Sequence, residues 1–210
     1  MRDGLLPLFP LQVVLFPRTS LSLHIFEERY KEMIGECLVS GHSFGVVLAQ
    51  GQGILRIGCT ATIEKVLQRY DDGRLDILTM GRRRFEISEV DTERSFLRAS
   101  VSFFDDDETG PVAEAELQRV VKVHKELRAL MESDSPDPDI DDPQPSFQFA
   151  QISPDLGFRQ TLLAMRSEPD RLGRVADHLA HLIDRQRVQA HVKKTARGNG
   201  HPRLPLKLNE

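Results

Sequence analysis

Two Phe-Pro pairs, Phe9-Pro10 and Phe16-Pro17, interrupt an otherwise apolar run near the start of the chain, LPLFPLQVVLFPRTSLSLHIFEERY over residues 6–30. Each proline fixes its own φ, removes a backbone donor and pushes the preceding Phe into an extended conformation. The run therefore cannot form one apolar helix. It predicts a short strand, a sharp turn and a second strand over residues 21–26. In that strand Leu21, Leu23 and Ile25 share one face, while Ser22 and His24 share the other. No array of strong acids, bases or nucleophiles accompanies the run, which points to folding and recognition rather than catalysis.

Periodicity carries the reading onward. Tyr30, Met33, Ile34, Cys37 and Leu38 recur at spacings of three and four, which predicts an amphipathic helix over residues 27–40. Residues 44–49 form a short apolar run suited to a buried strand, and residues 57–70 are rich in β-branched side chains. Asp72-Gly73 is a hairpin signal, because Gly accepts the positive φ of a tight turn. The returning strand runs over residues 74–80, is interrupted at Gly81, and resumes its alternation at Phe85 and Ile87. Residues 96–104 make one more strand. Five or six short strands with one early helix predict a small closed or nearly closed barrel.

Beyond the acidic residues 105–108 and the Gly110-Pro111 break, the period becomes helical. Leu117, Val120, Val121, His124, Leu127, Leu130 and Met131 form one stripe. The segment SDSPDPDIDDPQP, residues 133–145, has one large apolar side chain, Ile140, and reads as a solvated loop. Phe147 and Phe149 follow it. Ser153-Pro154-Asp155 predicts a cap with Pro at the first helical position. Ser167, with Asp170 three residues on, opens the longest helix, whose stripe is Leu172, Val175, Ala176, Leu179, Leu182 and Ile183. The fold class is thus α+β: a barrel over residues 1–104, a helical bundle over 111–195 and a loose tail over 196–210.

The 210 residues suffice for one large domain or two small ones. The apolar runs are too short to span a bilayer. The amino terminus lacks the basic start and unbroken apolar stretch of a signal peptide, so a cytoplasmic location is the expectation. The formal net charge of −4 is segregated: neutral over residues 1–104, −9 over 105–145 and +5 over 146–210. Attraction between the acidic middle and the basic end, within the fold, is the simplest consequence.

Candidate chemistry is sparse. No GxxxxGK[ST] loop is present to cradle phosphate. Ser146, Ser153 and Ser167 each read as helix caps rather than nucleophiles. His178 and His181 lie one turn apart without a third ligand fixed by spacing, so no metal site is assigned. Cys37 and Cys59 form no CxxC pair and read as small buried residues. His24 reads as a strand histidine bonded to backbone. In Arg82-Arg83-Arg84, strand alternation puts Arg82 and Arg84 on one face and Arg83 on the other, so the run is not one patch for phosphates.

Several dispersed motifs, in one order, carry a resemblance. LPLFPLQVVLFP, LHIFEERYKEM, FGVVLAQ at 44–50, IGCTATIEKV at 57–66, DDGRLDILTMGRRRFEI at 71–87 and FLRASV at 96–101 resemble the amino-terminal, substrate-binding domain of Lon proteases, most of all its free-standing bacterial versions. One departure is Arg18, where the family usually has Gly after the second Phe-Pro. The resemblance implies a PUA-like β-barrel followed by a helical region. It also implies a non-enzymatic role in holding unfolded or tagged polypeptide, or an adaptor role. The second half is too short for the ATPase and Ser-Lys protease domains of full-length Lon, and no catalytic residue or cofactor is assigned. Phe16, Pro17, Arg18, His24, Glu27, Glu28, Arg29 and Tyr30 are the candidate polypeptide-binding residues. The alternative is an RNA-binding PUA-like module, against which the neutral first half and its few aromatic side chains weigh.

Overall fold

The computed structural model describes residues 4–107, 112–133 and 137–198. Its elements are β1 (Leu6–Leu11), β2 (Ser20–Ile25), α1 (Glu28–Ser40), β3 (Phe44–Gln50), β4 (Gly53–Arg69), β5 (Leu75–Asp91) and β6 (Arg98–Phe104). The helices α2 (Glu114–Leu130), α3 (Pro145–Ala150), α4 (Leu156–Ala164) and α5 (Glu168–Gly198) follow. The strands form one mixed sheet in the order β2-β5-β4-β3-β1-β6, and β5 also pairs with β6. The ladder β5-β4-β3-β1-β6 therefore returns on itself, and β2 hangs on its outside, paired to β5.

The two strands of the opening run do not pair with each other. β1 lies parallel to β3, with Phe9 opposite Val46, and β2 lies antiparallel to β5, with Leu23 opposite Ile77. The connection between them carries Val14, Leu15 and Phe16 into the interior, where Phe16 is fully buried. Its ring stacks on Phe147 of α3 with centroids 4.9 Å apart. One hydrophobic cluster thereby runs from Phe9, Phe44 and Ile77 in the sheet to Val120, Phe149, Leu162 and Leu179 in the helices. Burying one such Phe contributes about 1.5–3 kcal/mol.

Gly81 does not end the returning strand as expected: β5 runs unbroken from Leu75 to Asp91. The glycine serves a crossing of chains. A Cβ placed there would sit 2.0 Å from the Phe16 carbonyl oxygen, and Gly81 exchanges backbone hydrogen bonds with Arg18 and Thr19. The β4–β5 ladder shifts register at that level, between Cys59 and Ala61. The Asp72-Gly73 hairpin is present, with Gly73 at φ 83°.

Helices α2 and α5 run side by side in the same direction, tied by Arg119 to Asp177 and by Glu126 to Arg187. Buried Val120, His124 and Leu127 face this bundle from α2, and Leu172, Val175, Ala176, Leu179 and Ile183 from α5. The stripe predicted for α2 is narrower than read, since Leu130 and Met131 lie exposed at its end. Helix α4 is capped by Asp155, whose carboxylate accepts from the Phe158 N–H at 2.9 Å. Ser153 is not the cap; its hydroxyl accepts from Asp155 N–H and meets His178 Nε2 at 2.9 Å. Ser146 is likewise inside α3 rather than capping it. Ser167 accepts from the Asp170 N–H, as its spacing suggests. Helix α5 continues through 196–198 of the expected tail, and 199–210 lie outside the described residues. So do 134–136 of the expected loop; its other end is packed, with Asp142 buried.

Candidate functional site

An unpaired sheet edge is the most open feature of the sheet. Among the described residues β2 is bonded on one side only, to β5, in a regular register from Ser20 opposite Met80 to Ile25 opposite Leu75. Ser20, Ser22 and His24 are exposed, Leu21 and Leu23 half-buried, and Ile25 buried. The alternation predicted for this strand is present. Edge strands are ordinarily blunted by Lys, Pro or a bulge, and Ser20–Ile25 contains none of these. The next residue, Phe26, leaves 59% of its surface in solvent.

His24 occupies the end of this edge. Its Nδ1 lies 2.5 Å from an Asp76 carboxylate oxygen, so its partner is a cross-strand carboxylate rather than the backbone expected from sequence. The Tyr70 hydroxyl donates to the other Asp76 oxygen at 2.7 Å. Hydrogen bonds from His24 and Tyr70 hold the Asp76 carboxyl below its ordinary range. The His24 ring lies nearly parallel to Phe26 with centroids 5.9 Å apart. An imidazole, a phenol and an exposed phenyl ring thus stand together where β2 meets α1.

The start of α1 adds charges that are already matched locally. Glu27 accepts from Arg29 Nε at 2.9 Å, and Glu28 accepts from Lys31 Nζ at 2.8 Å. Lys31 also donates to the Asp72 carbonyl at 2.9 Å, joining the helix to the β4–β5 hairpin. Such exposed pairs contribute about 0–1 kcal/mol each. The structure therefore brings His24, Glu27, Glu28 and Arg29 into one exposed region. It does not bring Tyr30 there: that ring is buried and stacks on Phe9 at 4.1 Å. Phe16 and Pro17 are buried as well and support the surface from within.

Arg18 stands at the other end of β2, with φ 54°. The left-handed conformation accounts for the Gly common in related motifs. Its guanidinium turns away from the edge towards the loop before α3. Nε lies 2.9 Å from each oxygen of Asp142, and an amino group donates to Gln144 at 2.7 Å.

The three consecutive arginines are divided among three partners. Arg82 donates to Glu64 at 2.6 Å, and Arg83 pairs with Asp105 at 3.5 Å and lies over the Phe103 ring. Arg84 is only 2% exposed, so Arg82 and Arg84 do not share an open face. The register shift beside Gly81 breaks the alternation that sequence assumed. Arg84 and Arg171 both donate to Asp106 at 2.6 Å, and Arg171 also donates to Glu168 at 2.6 Å. Glu168 in turn accepts from the Ser146 hydroxyl and N–H. Burial pushes the Glu168 carboxyl up. Burial opposes ionisation of Asp106 too, but the bonds from Arg171 and Gln144 outweigh it and hold Asp106 at about 2. This buried network joins sheet to helices. Sequence reasoning missed it because Asp106 stood in a run of four acidic residues and Arg84 in a run of three arginines, each resembling solvated charge.

The remaining candidates are packed. His178 stacks flat on Phe158, 3.6 Å between centroids. Among the described residues no three His, Cys, Asp or Glu side chains are grouped to hold a metal. Cys37 and Cys59 are buried free thiols, pushed up by burial to about 11 and about 12. No helix among the described residues is long and apolar enough to cross a membrane.

Residues 5–189 match the family described as the ATP-dependent protease La (LON) substrate-binding domain. A Lon protease of Flavobacterium johnsoniae is 28% identical over 140 residues, and one of Cytophaga hutchinsonii is 27% identical over 114 residues. Those matches cover 62% and 49% of this chain but only 17% and 14% of the two proteases. The crystal structure of a Lon N-terminal domain protein from Xanthomonas campestris is similar with a TM-score of 0.65 at 25% identity, over 81% of this chain and 96% of that one. The N-terminal domain of a Mycobacterium avium complex Lon protease shares the fold with a TM-score of 0.60 at 14% identity, over 84% of this chain and 98% of that one.

Proposed function

The chain belongs to the LON substrate-binding domain family, and on that footing we propose that it is a non-enzymatic recognition module that holds polypeptide along the open edge of β2. The observation that carries this reading is the unprotected edge itself, with half-buried Leu21 and Leu23 on one face and exposed Phe26 at its end. An extended segment added there gains main-chain hydrogen bonds whatever its sequence, and apolar side chains at alternate positions gain contact with Leu21, Leu23 and Phe26. Such recognition tolerates many sequences, as a binder of unfolded or tagged chains requires. The closed ladder, taken as a PUA-like barrel, serves as the rigid frame. The module acts in the cytoplasm as an adaptor for, or a competitor of, a protease's own recognition domain.

The test is binding of a permanently unfolded protein to the wild type and to Ser22→Lys with Phe26→Ser. Both positions are exposed, so the fold is retained, and a lysine blunts strand addition at an edge. Weakening of about tenfold or more, corresponding to about 1.4 kcal/mol, supports the reading. Unchanged affinity overturns it. Binding to single-stranded RNA that the unfolded protein does not displace would favour the nucleic-acid alternative.

A further inference from the structure

A second site lies in the helical half, over His124. This residue belongs to the buried stripe of α2 and is 3% exposed. Its ring meets Phe149 edge-on with centroids 5.3 Å apart. Among the described residues neither ring nitrogen has a hydrogen-bond partner, and neither is sealed from the cleft that the ring lines, so the imidazole is free to bond a ligand there.

The imidazole lines two adjoining cavities, of about 360 and 370 Å³. The dipeptide Asp137-Pro138 also lines both, so it crosses the cleft as a strap between the two lobes. An ion pair from Arg128 to Asp137 holds the strap down. One lobe is walled by Leu117, Val121 and Ile140, and Ile140 stands half in solvent at its mouth. The other reaches Ile152 and the carboxamide of exposed Gln151.

We propose that this cleft takes the aromatic side chain of a bound polypeptide, one that carries a neutral hydrogen-bonding group: an indole N–H or a phenol O–H. This rests on the polypeptide reading above. Each lobe lies in the lower part of the size range of ligand pockets, roughly 300–1,000 Å³, and suits one ring system. The apolar walls take the ring, and the unpartnered imidazole takes its single polar atom. An anionic ligand would meet Asp137, which lines both lobes and opposes it despite Lys125 on one wall, and a cationic one would compete with Arg128 for Asp137. A neutral group meets neither obstacle. Gln151 donates to Gln148 at 3.3 Å, which leaves its carbonyl oxygen to accept a peptide N–H. That placement selects a side chain attached to backbone over a free ring.

The probes are the N-acetyl amides of tryptophan, tyrosine, phenylalanine and leucine, titrated into the full chain while the His124 ring resonances are followed. The tryptophan and tyrosine amides should shift them saturably, at dissociation constants on the order of millimolar for so small a ligand. The phenylalanine and leucine amides should bind several-fold more weakly. His124→Phe assigns the resonances by their loss, and with binding followed instead by the backbone amide shifts of α2 it should abolish the preference for a polar ring. Because that variant can repack, Val121→Phe provides a second test: it fills one lobe from a half-buried position and should remove binding. Absence of a saturable shift, or equal binding by Val121→Phe, overturns the proposal. If Val121→Phe binds the aromatic amides normally and still holds unfolded protein, the cleft assignment falls and the edge reading stands. If the amides bind over His124 but no unfolded protein binds the wild type anywhere, the polypeptide source falls for both sites.

Discussion

Arg18 and Asp142 lie 124 residues apart in the chain and meet through both carboxylate oxygens, each 2.9 Å from the arginine Nε. The carboxylate is buried, and its pKa falls below the usual range because the bonds from Arg18 and Gln144 outweigh its desolvation. This contact fixes the turn before the open edge strand to the loop before α3. It also explains how a non-glycine residue persists at φ 54°: the ion pair offsets the strain.

Two substitutions separate strain from pairing. Arg18→Ala leaves Asp142 with only the Gln144 N–H and Gln148 amide, and keeps a Cβ in the left-handed region. It should cost about 1–3 kcal/mol, read as a shift in denaturation midpoint. Arg18→Gly loses the same pair but relieves the backbone, and should be more stable than the alanine variant by about 1 kcal/mol. Equal stabilities would mean that the turn is not strained. By the same contact, deleting residues 137–142 should destabilise the protein, contrary to what a purely solvated loop would do.

Asp106, together with Asp142, contributes to the acid limb of the stability curve. Its folded pKa of about 2 lies below its ordinary value of 3.8, so in acid the unfolded chain takes up the proton first. The stabilisation is complete above about pH 4 and is lost as the pH falls towards 2, roughly 2 kcal/mol in all. Glu168 acts with the opposite sign, because a raised carboxyl stabilises the fold below its unfolded pKa and ceases to do so as the pH rises through the folded one. Asp106→Asn should cost about 3–5 kcal/mol at neutral pH, since it strands Arg84 and Arg171 in the interior. It should also flatten the dependence of urea midpoint on pH between about 4 and 2. An unaltered acid limb would assign that limb to other carboxylates.

The limits of sequence reading are physical. The β2 alternation and the α5 stripe were legible because each depends on one element's own period, 2.0 or 3.6 residues. The neighbours of β2 were not, since nothing local to residues 20–25 states that they pair with β5 rather than β1. Arg84 was misplaced because β5 carries an extra residue between Gly81 and Arg84, where it advances three residues against two in β4, and a regular alternation does not register it. Asp142 was read as solvated because its partner is Arg18, at the far end of the chain. Of the eight residues proposed for recognition, the four at the β2–α1 junction stand together, His24, Glu28 and Arg29 exposed and Glu27 half-buried. Phe16, Pro17 and Tyr30 were drawn inward by apolar area that the motif alone does not assign to a side.

Gly81 gives a test of the chain crossing. An added methyl would meet the Phe16 carbonyl oxygen at 2.0 Å and its carbon at 3.0 Å, both backbone atoms. Neither can swing aside as a side chain would. Gly81→Ala should therefore cost about 3 kcal/mol or more, or prevent folding. A change below about 1 kcal/mol would show that the connection before β2 moves freely, and the edge strand with it.

Salt separates the two classes of partner most cleanly. Strand addition and apolar contact at Leu21, Leu23 and Phe26 release few counterions, so affinity for unfolded protein should change by less than about twofold between 50 and 200 mM salt. A ligand held by six to ten phosphate contacts would lose roughly 10³–10⁵ over the same range. The guanidiniums of the arginine run are engaged: Arg82 with Glu64, Arg83 with Asp105 and Arg84 with Asp106. Arg82→Glu with Arg83→Glu, both at exposed positions, should leave polypeptide binding unchanged. A steep salt dependence abolished by that pair, with the fold intact by circular dichroism, would instead make the arginine run the binding surface and nucleic acid the ligand.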